Sequence, residues 1–187
     1  MFSAAVMPIC VIRACGHSES EQFRYRNVRD RNQQVEMARR TICKSCRVML
    51  EGWLEATDDA PYPAQLPALS GSDKQVKWAE SIRATQLKRL LPAMTAAAAH
   101  GDKIGAAVWQ ALYVIVTQRQ ARFWIDNREL GFSRNYIELE ATYFAMTVTF
   151  GVNFSERSIF GYLKKHAPHV IEDARRRCPA PLARSIA

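Results

Sequence analysis

Cys15 and His17, then Cys43 and Cys46, are the residues whose types and spacing could do chemistry. They read Cys-Gly-His, a basic spacer, then Cys-Lys-Ser-Cys. Thiolate sulfurs and an imidazole nitrogen in two chelating pairs form the ligand set of a tetrahedral structural zinc. A single residue between Cys15 and His17 requires a sharp turn, which Gly16 permits. Cys43 and Cys46 form a C-x2-C knuckle, in which loop amides also hydrogen-bond to the thiolates. Cys10 is a rival ligand. It lies five residues before Cys15, so on a continuous strand the two face opposite sides. That favours His17 as the fourth ligand and places Cys10 in the core. A catalytic zinc would keep an open position and want a nearby carboxylate base. Glu19 is the close candidate, and it reads as solvated. The deaminase pattern H-x-E…P-C-x-x-C is absent. The spacing therefore predicts one structural zinc as the cofactor.

The elements that must position these ligands are legible as local patterns. Ile9–Ala14 predicts a strand entering the Cys15 turn, and Glu21–Tyr25 its return. Arg29–Thr41 is polar and helix-favouring. Leu50, Trp53 and Leu54 follow the second pair at i, i+3, i+4, so a helix starts at or near it. Pro61, Pro63 and Pro67 mark residues 58–69 as a linker. Ser72 with Gln75 is a capping box, opening a helix from Asp73 to about Leu91 that Pro92 stops. Ala93–Ala99 then predicts a short helix ended by His100-Gly101. Asp102 opens a long helix to about Arg128, and its first half, Ile104–Val116, is apolar almost all round, as in the centre of a bundle. Gly131 punctuates the chain. Ser133 caps a helix to about Met146, and Gly151–Phe154 is a turn. Ser155 caps another helix to His166, and Pro168 starts a last one. The predicted fold class is mainly α: a zinc-ribbon or treble-clef-like module over residues 5–57, the linker, and an α-helical bundle over 70–187.

The 187 residues are 48% hydrophobic, enough for a real core, and carry 26 basic against 18 acidic side chains, a net charge of +8. The excess is concentrated. Arg24, Arg26, Arg29, Arg31, Arg39, Arg40, Lys44 and Arg47 stand against Asp30 and Glu36 inside the presumed zinc module. On the helix from Asp73, the row Lys74, Lys77 and Lys88 lies opposite the apolar side, with Trp78 at its edge. Such positives could follow a phosphate backbone, and Trp78 at their edge could stack a base. Trp78 itself is expected to pack against the zinc module or another helix, because tryptophan is usually mostly buried. Arg83 falls in the apolar arc, where a charge needs a partner; an acidic residue such as Asp126 or Glu140 is the expected one, the alternative being that Arg83 faces a groove. Five cysteines, three of them assigned to metal and Cys10 a rival ligand, fit a reducing cytoplasm, with Cys178 left as a free thiol. The apolar start, Met1–Ile12, lacks the features of a signal peptide. The longest apolar run is too short to span a bilayer. No Ser-His-Asp order, Walker loop, dinucleotide-binding turn or HExxH motif occurs, so no catalytic residues are assigned.

The Cys-Gly-His turn, the basic spacer and Cys-x2-Cys-Arg precede Pro-Ala-Leu-Ser-Gly-Ser-Asp-Lys-Gln-Val-Lys-Trp-Ala-Glu-Ser-Ile-Arg at Pro67–Arg83. Together they resemble a group of small uncharacterised zinc-ribbon proteins of phages and mobile elements. Phe123–Arg128 is similar to a further segment of that group. The resemblance covers Cys15 to Arg128. It implies a zinc module joined to a helical one on a mobile element, and it supplies no activity. The sequence thus leads to a cytoplasmic, non-enzymatic, zinc-containing nucleic-acid-binding protein, with RNA or DNA backbone as partner. A subunit of a CRISPR-type ribonucleoprotein complex is the expected setting. The alternative is a protein-interaction module, such as a phage-encoded inhibitor that docks on a host defence complex. No membrane and no small-molecule substrate is expected.

Overall fold

The computed structural model describes residues 5–56, 66–129, 132–146 and 158–179. The chain opens with an antiparallel hairpin of β1 (Ala5–Ile12) and β2 (Ser18–Tyr25), in register from Ala5↔Tyr25 to Ile12↔Ser18. Arg13 N donates to His17 O at 2.9 Å, so the even-numbered residues of β1 turn their backbone groups to the outer edge. Pro8 is among them. Its missing N–H blunts that edge against pairing with another strand. Helix α1 (Val28–Arg39), capped by the Asn27 side chain on Asp30 N, folds back across the hairpin. A small core of Val11, Phe23 and Ala38, flanked by Ile9, Tyr25 and Val35, joins the two. Cys10 lies on the other face of β1 and is exposed. The expectation that it is a core residue is corrected by the strand's alternation, which turns Val11 inward instead.

Helix α2 (Lys44–Glu55) starts directly on Cys43 and lays Leu50 and Leu54 against the bundle. Helix α3 (Asp73–His100) opens on the expected capping box, Ser72 with Gln75. The stop expected at Pro92 does not occur: the helix continues through it to His100. An interior proline costs about 3 kcal/mol. Leu90, Leu91, Ala93 and Ala97, buried around it, offset that cost by packing. Helix α4 (Lys103–Val116), capped by Asp102, is buried nearly throughout and packs on α3 and, further along the chain, on α6, α7 and α8. Gly105 is needed at the α3–α4 crossing, because a Cβ there would stand 2.5 Å from the Ala97 carbonyl oxygen.

The single helix expected from Asp102 to Arg128 is two, α4 and the short α5 (Ala121–Asp126). Its interruption is tertiary. Ser70 N donates to Arg119 O at 2.7 Å and Ala121 N to Ser70 O at 2.9 Å, so the segment before α3 takes backbone groups that a continuous helix would need. Helix α6 (Arg134–Ala145) is capped by Ser133, as expected. Helix α7 (Ile159–His166) is capped by Ser158, and α8 (Pro168–Arg177) begins on Pro168. Residues 58–65 of the linker, Gly131, the Gly151–Phe154 turn and Ser155 lie outside the described residues. Among the described residues no helix is long and apolar enough to cross a membrane.

Two long-range ion pairs tie α2 to α6. Arg47 Nε donates to both Glu138 oxygens at 2.9 and 3.0 Å, and Arg134 pairs with Glu51. Arg83 does not find the carboxylate expected for it. Its Nη1 donates to the Pro67 carbonyl at 2.8 Å, while Asp126 pairs with Arg122 and Glu140 accepts from Ile159 N and Phe160 N. Arg83 is only partly buried, so a carbonyl at the rim of the bundle satisfies it without an ion pair. Partial burial still draws its pKa below the usual arginine value.

Candidate metal centre

The loop joining β1 to β2 carries Cys15 and His17, and the N-terminus of α2 carries Cys43 and Cys46. Gly16 sits between the first pair with φ +90, a conformation that side chains other than glycine's rarely adopt. Cys43 is the N-cap of α2 and accepts from Cys46 N at 3.4 Å, while Cys43 N donates to Cys15 Sγ at 3.4 Å. These amides and the positive end of the helix favour thiolates. Helix α1 closes the loop between the two pairs, and Ala14 N donates to Thr41 O at 2.9 Å to bring them together.

The four ligand atoms all lie within 4.8 Å of one another. His17 Nδ1 stands 3.1 Å from Cys46 Sγ and 3.6 Å from Cys43 Sγ. A tetrahedral zinc with its usual bond lengths has ligand–ligand edges of about 3.5–3.8 Å. The donor set and its dimensions therefore fit zinc. Cys15, Cys43 and Cys46 are buried and His17 is exposed, so the site is lined by sulfur within and imidazole without. The Cys46 thiol donates to Cys15, which is the largest cause holding the Cys15 thiol down at about 4. The same contact, with burial, pushes Cys46 up. A divalent cation would take the place of that shared proton, so metal uptake releases protons. All three buried cysteines belong to the same hydrophobic core as Leu50, Leu54 and the bundle helices. The centre is thus a joint between hairpin and bundle as well as a staple within the hairpin module.

Sequence reasoning missed Arg13. Its side chain is nearly buried beneath the ligand loop and reaches Ala38 O at 3.0 Å, Thr41 Oγ1 at 2.8 Å, Glu19 at 2.7 Å and Glu21 at 2.6 Å. Glu19, expected to be solvated, also accepts from Lys44 N at 3.2 Å. One cation thereby ties the first ligand loop to the segment carrying the second pair. The signal in the sequence is a lone charge at the end of the apolar run from Ile9 to Ala14. Groups that orient metal ligands typically contribute roughly 10–100-fold to metal affinity. Arg13→Ala is expected to lower zinc affinity by that factor in a chelator competition titration, with the helix content of the bundle unchanged. Affinity equal to the parent's would show that Arg13 does not brace the ligand loop.

The expected nucleic-acid residues divide by environment. Arg24, Arg29, Arg40 and Lys44 are exposed, and their side chains make no ion pair among the described residues. Arg26 is exposed beside Asp30. Arg31 lies 5.9 Å from the Tyr25 ring centroid, and Arg39 pairs with Glu36 at 2.6 Å. Arg47 is committed to Glu138, whose carboxylate raises its pKa. Lys74, Lys77 and Lys88 are exposed on α3. Trp78, expected to be packed away, is 52% exposed, because α3 turns that edge away from the bundle. Comparison with protein-family models, curated proteins and solved structures gives no match.

Proposed function

We propose that this is a non-enzymatic nucleic-acid-binding protein in which zinc, held by Cys15, His17, Cys43 and Cys46, fixes a basic surface in shape. The observation that carries the reading is the outward presentation of Arg24, Arg29, Arg40 and Lys44, without carboxylate partners among the described residues, on the elements that the metal ligands bracket. Such side chains can neutralise backbone phosphates without first breaking an internal pair. The resemblance to zinc-ribbon proteins of mobile elements supports a mobile-element origin; a place as a subunit of a CRISPR-type ribonucleoprotein complex belongs to the same proposal.

Counterion release tests this. Affinity for nucleic acid should fall with salt at a log–log slope of roughly −0.7 to −0.9 per phosphate contacted. Changing Arg39 and Arg40 together to Ala is expected to flatten that slope by about 1–2 units and to weaken all sequences alike. Anisotropy titrations across salt read both effects. Absence of binding to single- and double-stranded RNA and DNA would reject the reading.

One observation favours the alternative of a protein-docking module, such as a phage-encoded inhibitor. Met37 and Val48 are 63% and 60% exposed and line a groove of about 760 Å³ between α1 and α2. Exposed apolar groups of this kind suit a protein partner. That reading predicts little nucleic-acid binding at ~0.15 M salt.

A further inference from the structure

We propose that Trp78 is a stacking platform for an unpaired base, so that the nucleic acid this protein grips is single-stranded. The inference rests on the nucleic-acid reading above and goes beyond it by naming the strand form and the residue that selects it. Each of the other tryptophans is accounted for by packing. Trp124 is fully buried, Trp53 meets the His100 ring at 5.4 Å, and Trp109 stacks on Tyr113 at 5.2 Å. Trp78 alone among the tryptophans is left about half in water, on a helix that is otherwise well anchored.

Its ring is nevertheless held. The Arg128 guanidinium lies 5.4 Å from the Trp78 ring centroid. Arg128 is itself fixed by the Ile125 carbonyl at 2.9 Å and by Glu129 at 3.2 Å. The indole therefore stands between α3 and the end of α5 with a cation against it, ready to take a second flat partner at little further cost in ordering. Lys74 and Lys77 are exposed within one helical turn of it, where a strand's phosphates would pass. Asp73 and Glu80 on the same helix and Glu129 beside Arg128 keep the patch from being uniformly basic. That argues for stacking plus a few phosphate contacts over a purely electrostatic grip. A base inside a duplex has both faces covered by its neighbours, so such a platform discriminates in favour of single strands.

The test uses the full zinc-loaded chain with short labelled single-stranded RNA, single-stranded DNA and a DNA duplex. Trp78→Ala is expected to weaken single-strand binding by roughly 5- to 100-fold, the range for losing one stacked base, with the salt slope unchanged. Trp78→Phe should restore most of the affinity, because the ring and not the indole N–H carries the contact. Duplex binding should not move. Tryptophan fluorescence should be quenched by the single strand in the parent and not in Trp78→Ala. Single-strand binding untouched by Trp78→Ala but weakened by the Arg39/Arg40 double change would overturn the platform and leave the phosphate-gripping surface standing. Equal loss on single strand and duplex would also overturn it. Absence of binding to every nucleic acid would overturn this proposal together with the nucleic-acid reading it rests on.

Discussion

Cys43→Ser is expected to purify without stoichiometric zinc and to lose amide protection over residues 5–56, while α3 to α8 keep theirs. Cys43 serves as a ligand and as the N-cap of α2, accepting from Cys46 N at 3.4 Å. Among the described residues the apolar core beneath the hairpin is Val11, Phe23 and Ala38 with their fringe. A two-stranded hairpin with one helix and so small a core is not stable alone in water. Structural zinc supplies about 10–16 kcal/mol of apparent binding energy in small finger peptides, more than such a core can replace. The bundle, centred on Ile104, Val108, Leu112 and Ile115, does not need it. The joint with α2 will loosen, because Cys43, Cys46, Leu50 and Leu54 share one core with the bundle. Elemental analysis and hydrogen exchange read the two halves of the expectation. Native protein without zinc, or the variant with a full complement of it, would end the metal reading.

Glu140 is the second large effect. It is wholly buried on α6, and its two oxygens accept from Ile159 N and Phe160 N at 2.8 Å each, capping α7. Tyr136, whose pKa is raised chiefly by burial and then by this carboxylate, packs beside it. Burial pushes the Glu140 carboxyl up from 4.5 to about 7, against the opposing pull of the two amides and the tyrosine. A carboxyl raised in the folded state binds its proton more tightly there than in the unfolded chain. Its contribution is therefore fully present below the unfolded value of 4.5 and is lost as pH rises through the folded value near 7. The whole effect is roughly 3 kcal/mol. Urea midpoints measured from pH 4.5 to 8 should show the parent losing more stability with rising pH than Glu140→Gln, in which the group cannot titrate. The difference between the two proteins cancels the zinc ligands' own titration. Parallel profiles would mean that the carboxyl is not raised. Glu140→Ala should cost about 2–4 kcal/mol at pH 5, because two buried amides lose their acceptors.

What the sequence alone determined about this protein is local. The Cys15/His17 and Cys43/Cys46 pairs were legible because chelation and helix start are matters of one to three residues, and the structure brings the four side chains together. The Ser72–Gln75, Asp102 and Ser133 caps were legible for the same reason, since each satisfies an amide three residues on. The central position of α4 followed from a helix apolar on every side. Tertiary structure decided the rest. Pro92 lies inside a helix because buried neighbours on α3 outweigh one lost bond. The run from Asp102 breaks after Val116 because Ser70, some fifty residues upstream, pairs with the backbone at Arg119 and Ala121. Arg13, Arg47 and Glu140 each join groups far apart in the chain, and Trp78 stays in water because of which edge of α3 the bundle covers. No periodicity encodes such meetings. Capping and chelation act through fixed short spacings, whereas burial and pairing across the molecule depend on which faces the folded chain presses together.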